Sequence, residues 1–378
     1  MDSMTLTVLG GGQSIGASCH LLELGRHAIL LDCGKGKRAG TLFGPDFTPM
    51  LLRRRLPQEI ENVFISHAHF DHIGFLPELK AICGSVPIYA SRLTAELGRT
   101  LLWDNYDGAG LTDAQRRRYE RDFADAFAAV SPVPYCRTLD FGDYRVTLYE
   151  AGHIPGAAAV YVESEAGSVL YTGDFSLGKT VLSGGLTLPE GFRADTVILD
   201  GTYARRPDYR CCGLFDLSLD WLKTAQYRPV SVRTQQLTKG IETLGLILGK
   251  METGQLPEVK LLLDTELWNV AQAFTNAGIP VLKENCSRLT DEALWRGEPG
   301  VCLTTRPLHA LMEERRPDYS LHSDFGELKT FAESAAKKNV VVVHAPPTKE
   351  RRNAYALEDA CSRDLNFIYP ETGETYVL

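Results

Sequence analysis

The chain has 378 residues, of which 44% are hydrophobic and 23% are charged. These fractions are ordinary for a globular protein, and the length predicts two domains or one large domain with an insertion. The formal net charge of −8 argues against a protein that coats nucleic acid through a generally basic surface.

The sequence also indicates a compartment. Residues 1–7 contain no basic stretch followed by a long apolar one, so we expect no signal peptide. No apolar run approaches the ~18 residues that span a bilayer, so we expect no membrane partner. The 9 cysteines are scattered without a Cys-x-x-Cys pair, which is typical of reduced thiols. We therefore expect a cytoplasmic protein, and we make no prediction of its oligomeric state.

The first predicted elements are strands. Residues 4–9 and 28–32 are apolar, strand-like runs, and residues 18–24 predict another strand. The glycines at 10–16 have the wrong spacing for a dinucleotide-binding fingerprint, so we predict a glycine-rich hairpin. Helices are expected at 73–82 and at 112–130, where Thr112 and Gln115 predict a capping box.

A cluster of metal-ligand side chains follows a strand-like run at residues 62–65. Within six residues the chain carries His67, His69, Asp71 and His72. Imidazole and carboxylate are the groups that zinc and similar divalent ions bind. Three of only 9 histidines lie in this loop, so a chance surface loop is a poor explanation. On an extended loop His72 points away from the other three, so the loop could serve two adjacent metals.

Four later strand-like runs each lead to a ligand-type side chain. The runs lie at residues 144–149, 168–172, 196–199 and 340–343. The side chains that follow them are His153, Asp174, Asp200 and His344. Because α/β enzymes build their sites from polar groups at strand ends, this repetition strengthens the prediction of a metal site.

Residues 206–317 have a different pattern of predicted elements. Helical patterns at 214–225, 237–251 and 267–277 alternate with short apolar runs at 259–263 and 301–304. This pattern predicts an inserted α/β domain. Short basic clusters, such as Arg205-Arg206, are interpreted as solvated surface.

One motif points to a different function. Residues 173–180 match the phosphate-binding Walker A pattern and follow a predicted strand. A phosphate loop must open a helix, whose N-terminal amides hold the phosphates. The chain continues through residues 181–191 with several glycines and a proline, which predicts no helix. We therefore set the nucleotide-binding interpretation aside.

Three motifs together resemble the metallo-β-lactamase superfamily. They are His67-x-His69-x-Asp71-His72, Gly152-His153-Ile154-Pro155-Gly156 and Thr172-Gly173-Asp174. Downstream features are similar to those of its β-CASP branch, the nucleases that include RNase J and the endonuclease subunit of pre-mRNA 3′-end processing. These features are Asp200 in Asp200-Gly201-Thr202-Tyr203, His322 in Ser320-Leu321-His322-Ser323-Asp324-Phe325, and His344.

The resemblance covers almost the whole chain and implies its architecture. We expect an α/β fold, the metallo-β-lactamase αβ/βα sandwich, built from residues 1–205 and 318–378. A smaller α/β β-CASP domain would be inserted at residues 206–317.

The same resemblance implies two zinc ions, with manganese as an alternative. One set of ligands would be His67, His69, His153 and Asp174. The second set would be Asp71, His72, Asp174 and His344. Two metals ~3.5–4 Å apart can share a hydroxide, lower its pKa towards ~7 and stabilise a displacement at phosphorus.

The remaining site residues have implied roles in acid–base chemistry. His322 would protonate the leaving oxygen or hold a phosphate oxygen, and Asp200 would orient it through a charge-assisted hydrogen bond. With Asp71, these two are the predicted catalytic residues.

The implied activity is hydrolysis of single-stranded RNA that leaves a 5′-phosphate and a 3′-hydroxyl. His344 favours RNA, but a DNA exonuclease of the same branch and a small-molecule ester or thioester hydrolase of the superfamily are alternatives. A further alternative is an inactive scaffold. The inserted domain argues against the small-molecule hydrolase, and the complete ligand set argues against the scaffold. The sequence does not distinguish endonuclease from exonuclease.

Overall fold

A computed structural model describes residues 3–106, 112–210, 213–234, 237–289, 298–308, 313–350, 353–362 and 364–378. The chain divides into two compact units. The first comprises Met1–Gly178, Gly184–Arg210 and His322–Leu378. The second comprises Lys179–Ser183 and Cys211–Leu321. The prediction of a single insertion at 206–317 did not anticipate that Lys179–Ser183 belongs to the second unit.

Two seven-stranded sheets form the centre of the first unit. Strands are numbered in chain order. One sheet has the order β21-β1-β2-β3-β6-β7-β8, with β1 (Met4–Gly10), β2 (Cys19–Leu24), β3 (His27–Leu31), β6 (Asn62–Phe64), β7 (Ile88–Ala90), β8 (Val130–Pro132) and β21 (Thr375–Val377). The other has the order β20-β19-β13-β12-β11-β10-β9, with β9 (Thr138–Asp140), β10 (Tyr144–Glu150), β11 (Ala158–Ser164), β12 (Gly167–Tyr171), β13 (Ala194–Asp200), β19 (Ala336–Val343) and β20 (Asn366–Ile368). A separate hairpin joins β4 (Gly36–Arg38) and β5 (Thr41–Phe43).

The apolar faces of the two sheets share one core. Leu6, Ile29 and Phe64 from the first sheet belong to the same buried cluster as Val160 and Val341 from the second. Strands β1 and β2 are buried along their whole length. Strands that are buried on both faces need cover on the outer face as well, which helices supply.

The helices predicted at 73–82 and 112–130 are both present in the first unit, together with others that the sequence did not predict. Their bounds are α1 (Thr48–Leu52), α2 (Phe70–Ile73), α3 (Leu76–Cys83), α4 (Arg92–Tyr106), α5 (Asp113–Ala128), α8 (Phe325–Ala335) and α9 (Ala356–Ala360), with a 3-10 turn at Pro57–Glu59. The predicted capping box of α5 is confirmed, since the Thr112 hydroxyl accepts from Gln115 N at 3.3 Å. The predicted helix at 73–82 begins later, because the preceding residues form the short turn α2.

The second unit contains a five-stranded parallel sheet of order β16-β15-β17-β14-β18. Its strands are β14 (Pro229–Arg233), β15 (Leu261–Leu263), β16 (Cys286–Arg288), β17 (Gly300–Thr304) and β18 (Glu313–Arg315). Its helices are α6 (Leu237–Glu252) and α7 (Thr265–Asn276). The predicted fold class, an αβ/βα sandwich with a smaller α/β insertion, is confirmed.

One helix prediction in the second unit is wrong. Residues 214–225 form two 3-10 turns, Leu214–Asp216 and Asp220–Gln226, instead of one α-helix. Leu217 between them is extended, with φ −63° and ψ 121°. The carbonyl of Ser218 accepts from the Trp221 indole, a local bond that competes with helical pairing.

The remaining structural observations concern membranes and cysteines. Within the described ranges, no helix has the length and apolar character needed to cross a membrane. The cysteines that the structure describes are all free thiols.

Candidate metal centre

The predicted ligands meet at one edge of the first unit because of strand direction. Strand β12 runs parallel to β13, and β13 runs parallel to β19. Strand β10 has the same direction, since β11 is antiparallel to both β10 and β12. The chain therefore leaves these four strands at the same edge of the sheet. Their ends carry His153, Asp174, Asp200 and His344.

The loop after β6 supplies the other ligands, and main-chain bonds fix its path. The carbonyl of Asp71 accepts from Ser18 N and that of His72 accepts from Cys33 N, both at 2.9 Å. Gly34 lies so close to this loop that a Cβ atom there would be 1.7 Å from the Asp71 carbonyl oxygen. Only glycine permits this approach, so the loop depends on that residue type.

Four side chains form a first group of potential ligands. The ligand atoms of His67, His69, His153 and Asp174 all lie within 4.8 Å of one another. The Oδ2 atom of Asp174 is 3.8 Å from Nε2 of His67 and 3.8 Å from Nε2 of His153. The Nε2 atom of His153 is 3.2 Å from Nδ1 of His69.

Asp71, His72 and His344 form a second group. The Nε2 atom of His344 is 3.2 Å from Oδ2 of Asp71. The other oxygen of Asp174, Oδ1, is 3.3 Å from Nε2 of His72 and 3.5 Å from Nδ1 of His344. The two carboxylate oxygens of Asp174 therefore face the two groups, one oxygen each.

Buried side-chain atoms without hydrogen bonds indicate which kind of ligand the two groups could bind. Nε2 of His67, Nε2 of His72 and Oδ1 of Asp174 are buried and make no hydrogen bond within the described residues. Buried polar atoms in native proteins are nearly always paired, so such atoms require an explanation. A divalent cation supplies one, because imidazole nitrogen and carboxylate oxygen are its usual ligands. The residues present fit metal binding.

The electrostatics of the cluster agree with this interpretation. Burial lowers the pKa of His67 and brings that of His69 to about 4, so both rings are neutral, as ligands must be. Burial opposes the charged forms of His72 and His344 as well, but nearby carboxylates, Asp174 foremost, outweigh it. They raise the pKa of His72 well above its ordinary value and that of His344 to about 10. A cation would replace those protons beside the same carboxylates.

His322 and Asp200 lie next to the two groups. The Nδ1 atom of His322 is 2.8 Å from Oδ2 of Asp200, and its ring centre is 4.4 Å from that of His153. Burial would raise the pKa of Asp200, but the adjacent His322 outweighs burial and lowers it. The pKa of His322 is raised because Asp200 overcomes the effect of burial. The carboxylate of Asp200 thus favours the protonated form of His322.

His344 is held in an unusual backbone conformation. Its φ angle is +53°, in the left-handed region that non-glycine residues rarely occupy. Its N–H donates to the Gly11 carbonyl at 2.7 Å, so the glycine-rich hairpin determines where the imidazole lies. Strain of this kind costs about 1–3 kcal/mol and is typical of functional sites.

The structure brings together all nine residues that the sequence predicted for the site. They are His67, His69, Asp71, His72, His153, Asp174, Asp200, His322 and His344. Their individual roles as ligands or catalytic groups stay predictions.

Sequence reasoning missed the residues that position these side chains. Asp32, fully buried at the end of β3, accepts from His72 Nδ1 at 2.7 Å and from the Tyr171 hydroxyl at 2.6 Å. It also accepts from Ser66 N and Oγ, each at 2.6 Å. The Thr202 hydroxyl donates to Asp200 at 2.7 Å and lies 3.1 Å from His344 Nδ1. Asp32 carries the same signal as the later ligands, a carboxylate that ends a strand-like run.

Known proteins that are similar to this chain have the same type of fold. The sequence profile of the metallo-beta-lactamase superfamily matches residues 15–213, which is more than half of the chain. A crystal structure of a protein of unknown function from Enterococcus faecalis covers 100% of both chains with a TM-score of 0.66 at 14% identity, a likeness of fold alone.

Several curated proteins are similar in sequence. Integrator complex subunit 11 of Danio rerio is 33% identical over 221 residues, which cover 56% of this chain and 36% of that protein. A ribonuclease of Thermus thermophilus is 32% identical over 209 residues, covering 54% and 45%. Endoribonuclease YSH1 of Eremothecium gossypii is 27% identical over 291 residues, covering 72% and 34%. The chain thus spans less than half the length of these relatives.

The sequence-based recognition of the β-CASP branch is confirmed by these relatives. The profile match, the paired sheets and the His/Asp groups at their common edge lead to one conclusion. The chain belongs to the metallo-beta-lactamase superfamily.

Proposed function

We propose that the chain is a metal-dependent phosphodiesterase that hydrolyses single-stranded RNA. One observation carries the proposal. The two oxygens of Asp174 face separate His/Asp groups, and the His322–Asp200 pair lies directly beside them. Relatives named as a ribonuclease and an endoribonuclease support RNA as the substrate class.

The ligands fit two ions, and we propose zinc, with manganese as the alternative. His67, His69 and His153 would hold one ion, Asp71, His72 and His344 the other, and Asp174 both. Two bound ions would activate a water molecule at neutral pH and stabilise charge on the phosphate.

The chain's own residues supply the other half of the chemistry. With Nδ1 of His322 donating to Asp200, the second proton of the imidazolium is on Nε2. We assign this proton to the leaving 3′ oxygen as the bond between phosphorus and that oxygen breaks, which gives a 3′-hydroxyl and leaves the phosphate on the 5′ oxygen of the next nucleotide. The buried carboxylate of Asp200 stabilises the imidazolium before the transfer and fixes its orientation.

The test uses 5′-labelled single-stranded RNA and DNA of one sequence. Wild type should cleave the RNA, and a chelator or Asp71→Asn should abolish cleavage. His322→Ala should keep its metal content but lose about 10²–10⁴-fold in kcat, the usual contribution of a general acid. His27→Gln is the matched control, because His27 begins β3 at the end opposite the metal loop.

The same assay distinguishes the alternatives. Cleavage of DNA alone would make the protein a DNA exonuclease or endonuclease. Metal-loaded protein that cleaves neither polymer but hydrolyses a small ester or thioester would overturn the nuclease proposal. Freshly purified protein without bound metal would favour an inactive scaffold. The pattern on the gel, a ladder from one end or discrete internal cuts, reports the mode of cleavage.

A further inference from the structure

A cavity of about 460 Å³ lies within the first unit, beside the candidate metal centre. Its walls come from two parts of the chain, Thr202 with residues 205–209, and residues 346–350 with Asn353. We call it the Arg206 pocket. Its volume falls in the range of pockets that bind small ligands or single nucleotides, about 300–1,000 Å³.

The Arg206 pocket adjoins the candidate metal centre through Thr202. This residue lines the pocket, and its hydroxyl contacts both Asp200, at 2.7 Å, and His344, at 3.1 Å. The next residue, Tyr203, meets the His322 ring edge-to-face, with ring centres 6.3 Å apart. A group in the pocket would therefore be close to the proposed site of phosphodiester cleavage.

Arg206 and Tyr209 line the pocket and belong to a stack of planar groups that continues to Tyr203 behind them. The rings of Tyr203 and Tyr209 are 4.4 Å apart and inclined by only 21°. The guanidinium of Arg206 lies 4.4 Å from the Tyr209 ring centre and 5.6 Å from that of Tyr203. Arg206 is exposed and has no carboxylate partner among the described residues. Its cation and one planar face thus remain accessible to a ligand.

The stack is pre-organised by local bonds. Main-chain N–H groups of Arg206 and Tyr209 donate to the carbonyls of Tyr203 and Arg206 at 3.0 and 2.9 Å. On the facing segment, the carbonyls of Pro346 and Ala354 accept from the Arg205 guanidinium at 3.3 and 3.1 Å. A ligand therefore binds without first having to order these walls, which favours affinity.

The charges of the pocket select among ligand classes. Arg205, Arg206 and exposed Lys349 are positive, but Asp208 and Glu350 also line the cavity. A site for a bare polyphosphate would not place two carboxylates beside the anion. A nucleotide suits this mixture, because its base stacks, its phosphate takes a cation, and its amino groups can donate to carboxylates. Stacking of bases on aromatic and arginine planes is how proteins grip single strands with little sequence preference.

We propose that the Arg206 pocket binds the nucleotide adjoining the scissile phosphodiester, with its base stacked against Arg206 and Tyr209. This inference rests on the proposed function, since it names where the single strand lies. It also assigns a role to the Arg205-Arg206 pair, which the sequence indicated only as solvated surface. Arg206 and Tyr209 are thus positioning residues for the strand, outside the reacting groups.

The test measures binding and two hydrolyses separately. Binding of a short labelled single-stranded RNA is followed by fluorescence anisotropy in the presence of a chelator, so that no cleavage occurs. Turnover is measured on the same RNA and on bis(p-nitrophenyl) phosphate, a diester that carries no nucleotide. Arg206→Ala and Tyr209→Ala should each weaken RNA binding by about tenfold, and leave hydrolysis of the small diester unchanged.

Conservative variants and a remote control sharpen the result. Tyr209→Phe keeps the ring and should bind RNA like wild type, whereas Arg206→Lys keeps the charge but loses the planar face and should rescue only part of the loss. Lys338→Ala is the charge control. Lys338 lies near the start of β19, ~20 Å from His344 at ~3.3 Å per residue, and should have no effect.

Each outcome has a defined meaning. If Arg206→Ala and Tyr209→Ala bind and cleave RNA like wild type, the pocket assignment is wrong while the proposed function stands. If both variants also lose hydrolysis of the small diester, the two residues support the reacting groups themselves and the assignment is again wrong. If wild type neither binds nor cleaves RNA, the proposed function fails and this inference fails with it.

Discussion

Asp32 is the residue whose replacement tests the architecture of the candidate metal centre most directly. It is fully buried, and its Oδ2 atom accepts from Ser66 Oγ, Tyr171 and His72. Its Oδ1 atom accepts from the main-chain N–H of Ser66. The carboxylate thus accepts from four donors, Ser66 N, Ser66 Oγ, the Tyr171 hydroxyl and His72 Nδ1.

Asp32→Asn keeps the shape but converts one acceptor into a donor. If the new amide group replaces Oδ1, it faces the Ser66 N–H, and an unsatisfied buried donor costs about 1–3 kcal/mol. If it replaces Oδ2, it faces Nδ1 of His72, which must then accept and carry its proton on Nε2. That nitrogen is the one that faces Asp174. Either placement weakens the second ligand group, and loss of such a supporting bond typically costs 10–100-fold in metal affinity.

The assay is a metal titration against a competing chelator, with the thermal unfolding of metal-free protein measured in parallel. We expect Asp32→Asn to bind zinc about 10–100-fold more weakly. The matched control is Asp195→Asn. Asp195 likewise accepts from the N–H and hydroxyl of one serine, Ser168, at 3.0 and 2.9 Å, but it lies near the start of β13. Its replacement should leave zinc affinity unchanged.

The reasoning is refuted if Asp32→Asn retains wild-type zinc affinity, because then His72 does not need this carboxylate to present Nε2. It is also refuted if Asp195→Asn weakens zinc binding equally, since the effect would then report general destabilisation of the sheet.

Two further predictions concern stability. Burial raises the pKa of Glu242 to about 7 against hydrogen bonds from Thr180, Val181 and Leu182. Its protonated form therefore stabilises the folded protein fully below pH ~4.5, and this stabilisation of about 3 kcal/mol is lost as the pH rises through ~7. Glu242→Gln should therefore flatten the pH dependence of the free energy of urea unfolding between these two pH values. The control Glu258→Gln, at an exposed position, should not. Zinc at about 100 times its Kd should stabilise wild type by about 2.7 kcal/mol, measured as a rise in Tm. No rise in wild type, or an equal rise in His67→Ala, would contradict the ligand assignment.

Much of the candidate site follows from local sequence. The first ligands can be predicted because they cluster within six residues, at His67, His69, Asp71 and His72. The later ligands can be predicted because they follow apolar runs directly. A strand fixes its side chains by alternation, and parallel strands end at one edge, so a one-dimensional pattern predicts a three-dimensional meeting point.

Other features depend on partners far away in the chain. Asp32 contacts Tyr171 across 139 positions, and Thr202 contacts His344 across 142. No periodicity encodes such pairs, because the first is decided by how the two sheets pack and the second by which strands become neighbours within one sheet. The prediction of one helix at 214–225 was wrong for a related reason. The apolar spacing of this segment suits a helix, whereas local side-chain bonds and packing select two 3-10 turns.

The sequence by itself determined the class of chemistry, the strand ends that carry it and the superfamily. Only the tertiary structure decided which oxygen of Asp174 faces which ligand group, and that Lys179–Ser183 joins the second unit through Glu242. The same holds for Arg206, which the sequence shows only as one of a basic pair and which the fold places on two tyrosine rings beside His322. The physical reason is that composition and period fix which face of an element is buried, whereas orientation at atomic distances arises only when separate elements pack together.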